Sequence, residues 1–227
     1  MMNDTDLKPL PAPRAFIFDV DGTIIDNMSY HNITWQIYFA RHGKQMTISQ
    51  VLKATGGKTA VEVIRSVIDP NISDEEAEKG VREKEDLYYQ LYGDHRVPIA
   101  GFTELLTWAR AHQVKLGVAT SADWLNIQFN LGGTGLLHSF DTIVGSEDIT
   151  HGKPDPEIFL LTASRLGVQP ADCLVFEDSL PGLEAAHRAG MPSVAITTSY
   201  TASQLTQLPG VIRVVDDYTG LRFSPEN

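Results

Sequence analysis

The stretch RAFIFDVDGTIIDN, Arg14 to Asn27, decides how the rest of the chain is read. Its first half is a continuous apolar run, aromatic and β-branched, of the kind expected in a strand covered on both faces of a parallel sheet. The run ends in acidic residues, Asp19, Asp21 and Asp26, with Gly22 directly behind the second. Carboxylates at the end of a buried strand are costly to desolvate. A cluster of them there calls for a compensating cation or a chemical task.

Working outward, further strand-length apolar runs follow in VKLGVAT, DTIVG, DCLVFED, PSVAIT and VIRVV. Between them lie segments with helical periodicity, GFTELLTWARAHQ, DPEIFLLTASRLG and LPGLEAAHRAG, the last two closing on glycine. Strand and helix alternate from about Val97 onward, which predicts an α/β fold with a doubly wound, mainly parallel, Rossmann-like sheet. The interval from Met28 to Arg96 reads helical throughout (MSYHNITWQIYFARHG, TISQVLKAT, TAVEVIRSVI, SDEEAEKGVREKEDLYYQLYG). At about 70 residues it is too long for a crossover inside a compact sheet. The expected organisation is a loose leader over 1–13, an α/β core from 14–27 and 97–227, and an inserted α-helical cap over 28–96.

Bulk properties narrow the function. The 227 residues carry a formal net charge of −11, whose field repels nucleic acid and anionic membrane, so neither is an expected partner. No apolar stretch reaches bilayer-spanning length, and the leader MMNDTDLKPLPAPR lacks the apolar centre of a signal peptide. Cys173, the single cysteine, cannot form an intramolecular disulfide and sits in apolar surroundings suited to an inert thiol. A cytoplasmic monomer is the expectation. GGKT at 56–59 lacks the strand and spacing of a nucleotide-triphosphate loop, and LGGTG at 131–135 reads as a flexible turn.

In a parallel α/β sheet, ligands gather outside the carboxyl ends of the strands. Here the first strand ends in Asp19 and Asp21, KLGVATSA in Thr120 and Ser121, and CLVFEDS in Glu177 and Asp178, while Lys153 of HGKPDPEIF follows the third apolar run. Taken singly, each is an ordinary turn or strand-end residue. Together they would bring carboxylates, a hydroxyl and an ammonium to one rim.

In this order the residues resemble the haloacid dehalogenase superfamily, and within it the helical-cap, β-phosphoglucomutase-like phosphatases. DVDGT corresponds to the first motif, Thr120 of VATSA to the second, Lys153 to the third and the Glu177–Asp178 pair of VFEDSLPGLEAA to the fourth. The resemblance implies a Mg2+-dependent phosphatase acting on a small phosphorylated metabolite. Asp19 would be the nucleophile that forms an aspartyl phosphate, and Asp21 the general acid and base. Thr120 and Lys153 would hold the phosphoryl oxygens. Mg2+ would be bound by Asp19, Asp21 through its carbonyl, and Asp178, with Glu177 ligating or supporting it. Gly22 and Ser121 would border the phosphate, and His31, Lys58 and Lys84 of the cap would read the substrate, with Trp35 beside His31.

A sugar-phosphate mutase of the β-phosphoglucomutase type, an inorganic pyrophosphatase and a non-catalytic cation- or phosphate-binding module are the alternatives. ATGGKTAVEVI has no arginine where the mutase would grip a second phosphate; Lys58 is the nearest cation, and lysine does not replace a bidentate guanidinium. That favours hydrolysis.

Overall fold

The structure is a computed structural model, describing residues 8–55 and 58–224. Contacts divide it into two compact units: the chain up to Asp26 together with Val97 onward, and Asn27–Arg96.

The first unit is built on strands β1 (Leu10–Pro11), β2 (Ala15–Phe18), β3 (Lys115–Ala119), β4 (Thr142–Val144), β5 (Cys173–Glu177), β6 (Ser193–Ile196), β7 (Val211–Val215) and β8 (Phe223–Ser224). Six of them form one sheet in the order β4-β3-β2-β5-β6-β7. Every pairing in it is parallel. The central strand β2 is wholly buried between β3 and β5, which is why its sequence is continuously apolar rather than alternating. The strand order turns back on itself at β2, which places its carboxyl end at a switch point, where an open α/β sheet offers a crevice. Phe18 stacks on Phe176 of β5 at 4.6 Å between ring centroids, and Tyr218 and Phe102 pack edge-on around them.

The leader is not wholly loose. Leu10 is buried and donates its N–H to the Arg222 carbonyl, and β1 pairs with β8 in a two-stranded parallel sheet. Arg213 adds a bond to the Lys8 carbonyl. Residues 1–7 lie outside the described part. LGGTG is likewise only partly a turn: Leu131 and Gly132 close a π-helical segment, Gln128–Gly132, that continues the short helix Trp124–Ile127. Only Gly135, at φ +75°, takes the left-handed conformation that glycine permits. The GG of GGKT falls outside the described residues.

The second unit holds α1 (Met28–Arg41), α2 (Ile48–Thr55), α3 (Ala60–Val67) and α4 (Asp74–Tyr92). Capping boxes, Thr59 with Glu62 and Ser73 with Glu76, start α3 and α4 and satisfy their first N–H groups. Trp35, Tyr38 and Phe39 of α1 and Ala77 and Leu87 of α4 join Val63 and Ile64 in a separate apolar core. Among the described residues no helix is long and apolar enough to cross a membrane.

Candidate active site

The chain leaves β2 through a tight turn. Val20 carbonyl accepts from the N–H groups of Thr23, Ile24 and Ile25, and Gly22 adopts φ +76°, a conformation that a side chain would strain. The turn leaves Asp19 buried at the strand end, Asp21 partly exposed beside it, and Asp26 exposed and apart from the acidic cluster.

Lys153 ties the rim together. Its Nζ donates to Asp19 Oδ1 at 2.6 Å, to Glu177 Oε2 at 2.8 Å and to the Ala119 carbonyl at 3.2 Å. Residues more than a hundred positions apart in sequence therefore meet at the carboxyl ends of β2, β3 and β5. Asp19, Glu177 and Asp178 each present a carboxylate oxygen, and these oxygens lie within 4.8 Å of one another. Such a set of hard oxygen donors fits a divalent cation. Glu177 is more committed than the others. Its Oε1 accepts from Ser179 Oγ at 2.7 Å and from the Ser179 and Asp178 N–H groups, while Oε2 holds Lys153. That arrangement suits Glu177 to orienting the site from behind.

A helix, Leu180–Arg188, begins directly after this pair, with Ser179 as its cap. A Cβ placed on Gly182 would lie 2.1 Å from the Glu177 carboxyl carbon and 2.2–2.5 Å from its oxygens. Only glycine lets the first turn of this helix close over the glutamate. We expect Gly182→Ala to displace Glu177 from Lys153 and to lower kcat by about 100-fold, the scale of a 1 Å misplacement. Steady-state kinetics checks this, and unchanged turnover would contradict it.

The electrostatics follow from burial. It drives the Asp19 carboxyl well above its ordinary range; the Lys153 ammonium pulls the other way, while Glu177, Asp178 and Asp21 add to the rise. Burial, then Glu177, pushes Asp178 up to about 7 against the Ser199 hydrogen bond. For Lys153 burial favours the neutral form, but the Asp19 and Glu177 carboxylates outweigh it and hold the ammonium charged. A divalent cation inverts the logic for the acids.

A carboxyl raised on folding binds more protons native than unfolded. Its cost to stability therefore grows as pH climbs from the ordinary value of 3.8 towards 7. We expect the metal-free protein to lose melting temperature between about pH 5 and pH 7, and a bound divalent cation to flatten that slope. A chelated protein whose melting temperature holds or rises over this interval would refute the coupling.

Thr120 is buried, its hydroxyl accepting the Ala122 N–H, and Ser121 beside it is exposed. Several contributors escaped the sequence reading. Asp178 accepts from Thr23 Oγ1 at 3.3 Å, from Thr198 Oγ1 at 3.4 Å and from Ser199 Oγ. Thr198 Oγ1 also donates to the Gly22 carbonyl at 2.5 Å. The run TTSY follows a strand, so the strand-end logic that found Thr120 could have found these hydroxyls. Tyr218, buried, donates to the Thr23 carbonyl at 2.9 Å, and no local pattern announces it.

Within the helical unit, Lys84 Nζ meets His31 Nδ1 at 2.8 Å and Glu85 Oε1 at 2.9 Å, near the faces of Trp35 and Tyr88. Lys58 is exposed and donates to Ser66 Oγ at 3.2 Å. Cys173 is buried, and burial, then Asp172, pushes its thiol up to about 11, as suits an inert side chain.

A parallel sheet with helices, carrying buried carboxylates and a lysine at its carboxyl rim, defines an α/β architecture suited to cation-assisted chemistry on anions. The chain belongs to the haloacid dehalogenase-like hydrolase family, whose sequence model matches residues 16–196. It is 33% identical over 182 residues to fructose-1-phosphate phosphatase YqaB of Escherichia coli (strain K12), spanning 80% of this chain and 95% of that protein. The structure of a HAD hydrolase, family IA, variant 3, from Entamoeba histolytica HM-1:IMSS matches with a TM-score of 0.83 at 28% identity, over 90% of this chain and 93% of that one. A β-phosphoglucomutase (pgmB) from Clostridium difficile matches at 0.78 and 28%, over 93% and 94%. The expected α/β fold is borne out, as is the enzyme class, phosphoric monoester hydrolase, by relatives named as phosphatases.

Proposed function

We propose that this protein is a Mg2+-dependent phosphatase that hydrolyses a small phosphorylated metabolite, a sugar phosphate foremost, through an aspartyl phosphate on Asp19. The observation that carries the reading is the ammonium of Lys153 lying 2.6 Å from Asp19 and 2.8 Å from Glu177. It compensates a carboxylate poised at the strand end, and the longest of its three bonds, 3.2 Å to the Ala119 carbonyl, is the one to exchange for an incoming phosphoryl oxygen. YqaB, by its name a fructose-1-phosphate phosphatase, supports the substrate class.

Asp19, Asp178 and the Asp21 carbonyl are the ligands we assign to Mg2+, with Glu177 in support. When bound, the cation neutralises phosphoryl charge and favours the ionised Asp19. Asp19 attacks phosphorus in line, so a carboxylate oxygen–phosphorus bond forms as the ester oxygen–phosphorus bond breaks. Asp21 gives its proton to the departing oxygen, then takes one from the water that attacks the aspartyl phosphate, releasing inorganic phosphate and restoring both residues. Thr120 and Lys153 donate to the transferring oxygens, where preorganised donors count most. Gly22 and Ser121 border that group, and His31 and Lys84 are assigned to substrate recognition. Lys58 is the weakest of these assignments, its ammonium being engaged with Ser66.

The match to β-phosphoglucomutase favours a second reading, transfer of the phosphoryl group to a sugar. It would use the same Asp19 and Asp21. The cap sequence around Lys58 lacks the arginine that gripping a second phosphate would call for. A panel containing fructose 1-phosphate, β-glucose 1-phosphate, phosphoglycolate and pyrophosphate separates the readings. We expect Mg2+-dependent phosphate release from sugar phosphates. Glucose 6-phosphate appearing faster than free phosphate would select the mutase; phosphate release indifferent to chelation would overturn both.

A further inference from the structure

The side chain of Asn130 is almost fully buried, 1% exposed, and its Nδ2 donates to Asp21 Oδ1 at 3.0 Å across 109 positions of sequence. It sits in the π-helical segment Gln128–Gly132, flanked on the buried side by Ile127 and Leu131. Periodicity alone would place an apolar residue there. Burying an amide is costly unless it is hydrogen-bonded, and here the bond runs to the carboxyl assigned to proton transfer. The wide turn of a π-helix is itself a feature that recurs at functional sites. The Asn130 backbone is fixed as well, its carbonyl accepting from Thr134 N–H at 3.3 Å and from Thr134 Oγ1 at 3.2 Å.

We propose that Asn130 is a positioning residue for the general acid, holding the Asp21 carboxyl in the orientation from which it protonates the leaving oxygen. The inference deepens the phosphatase reading and rests on it. An amide N–H can only donate, so it keeps Oδ1 as an acceptor and leaves the acidic proton to Oδ2. That proton passes from Oδ2 to the ester oxygen as the oxygen–phosphorus bond breaks and the Asp19–phosphorus bond forms.

The consequence is a leaving-group signature. Departure of phenoxide from phenyl phosphate needs the proton far more than departure of p-nitrophenoxide from p-nitrophenyl phosphate, while the two esters are close in shape. The value of kcat/KM reports only steps up to formation of the aspartyl phosphate, so later hydrolysis does not blur the comparison. For Asn130→Leu, which suits the apolar surroundings, we expect kcat/KM to fall about 10- to 100-fold with phenyl phosphate and less than about 3-fold with p-nitrophenyl phosphate.

Asn130→Ala, measured alongside, guards against a leucine that the site cannot hold, and circular dichroism melts admit only folded variants. Asp21→Asn is the control and should show the same selectivity, more strongly. Selective loss in the control with equal or no loss in both Asn130 variants would overturn the positioning role alone. An unselective Asp21→Asn would overturn the acid assignment and this inference with it.

Discussion

Asp19→Asn is expected to lower turnover by about 10,000-fold or more while the protein stays folded, the scale on which removing one member of a catalytic unit acts. The two side chains are close in shape, so the packing of β2 between β3 and β5 has no reason to change. On the proposed mechanism the substitution removes the nucleophile, since an amide oxygen does not attack phosphorus. The same substitution removes one charged donor from the acidic cluster and should weaken Mg2+ binding, which isothermal titration detects apart from catalysis. A variant that keeps a tenth of wild-type turnover would remove Asp19 from the mechanism.

Lys153→Met is expected to damage stability as well as rate. The ammonium is buried and bonded to both Asp19 and Glu177, so methionine leaves those carboxylates without their protein-borne counter-charge. Removing one partner of a buried ion pair costs about 3–5 kcal/mol. Denaturant titration in chelator should show a loss on that scale, with Mg2+ restoring part of it. Turnover should fall by about 1,000-fold on the proposed mechanism, in which this ammonium donates to the transferring phosphoryl group. Lys153→Arg should not restore it: a planar guanidinium cannot occupy a place shaped for a compact ammonium within 2.6–3.2 Å of three oxygens. Wild-type stability in the methionine variant would show that the ammonium compensates nothing.

Much of this was legible in the sequence because two physical signals are local. A strand buried on both faces is continuously apolar, and AFIF and CLVF are. Polar residues that end such strands reach a common rim whatever the intervening chain does, which is how Asp19, Thr120 and Glu177 could be grouped. Signals that depend on three-dimensional neighbours were not legible. Lys84 lies in a segment dense with charge, where only the family resemblance singles it out, and its 2% exposure and its bonds to His31 and Glu85 have no local signal. Asn130 looks like an ordinary polar residue until its burial is known. The two-residue strands Leu10–Pro11 and Phe223–Ser224 are too short to carry any periodicity.

On the proposed mechanism phosphorus passes through Asp19 on its way to water, and the stereochemistry at phosphorus reports that passage. Each in-line displacement inverts the phosphorus centre, so transfer to Asp19 followed by attack of water inverts it twice. Hydrolysis of a substrate whose phosphoryl group is made chiral with oxygen isotopes and sulfur, in isotopically labelled water, is expected to give inorganic thiophosphate with net retention. Net inversion would mean that water attacks the ester directly, and would contradict the account.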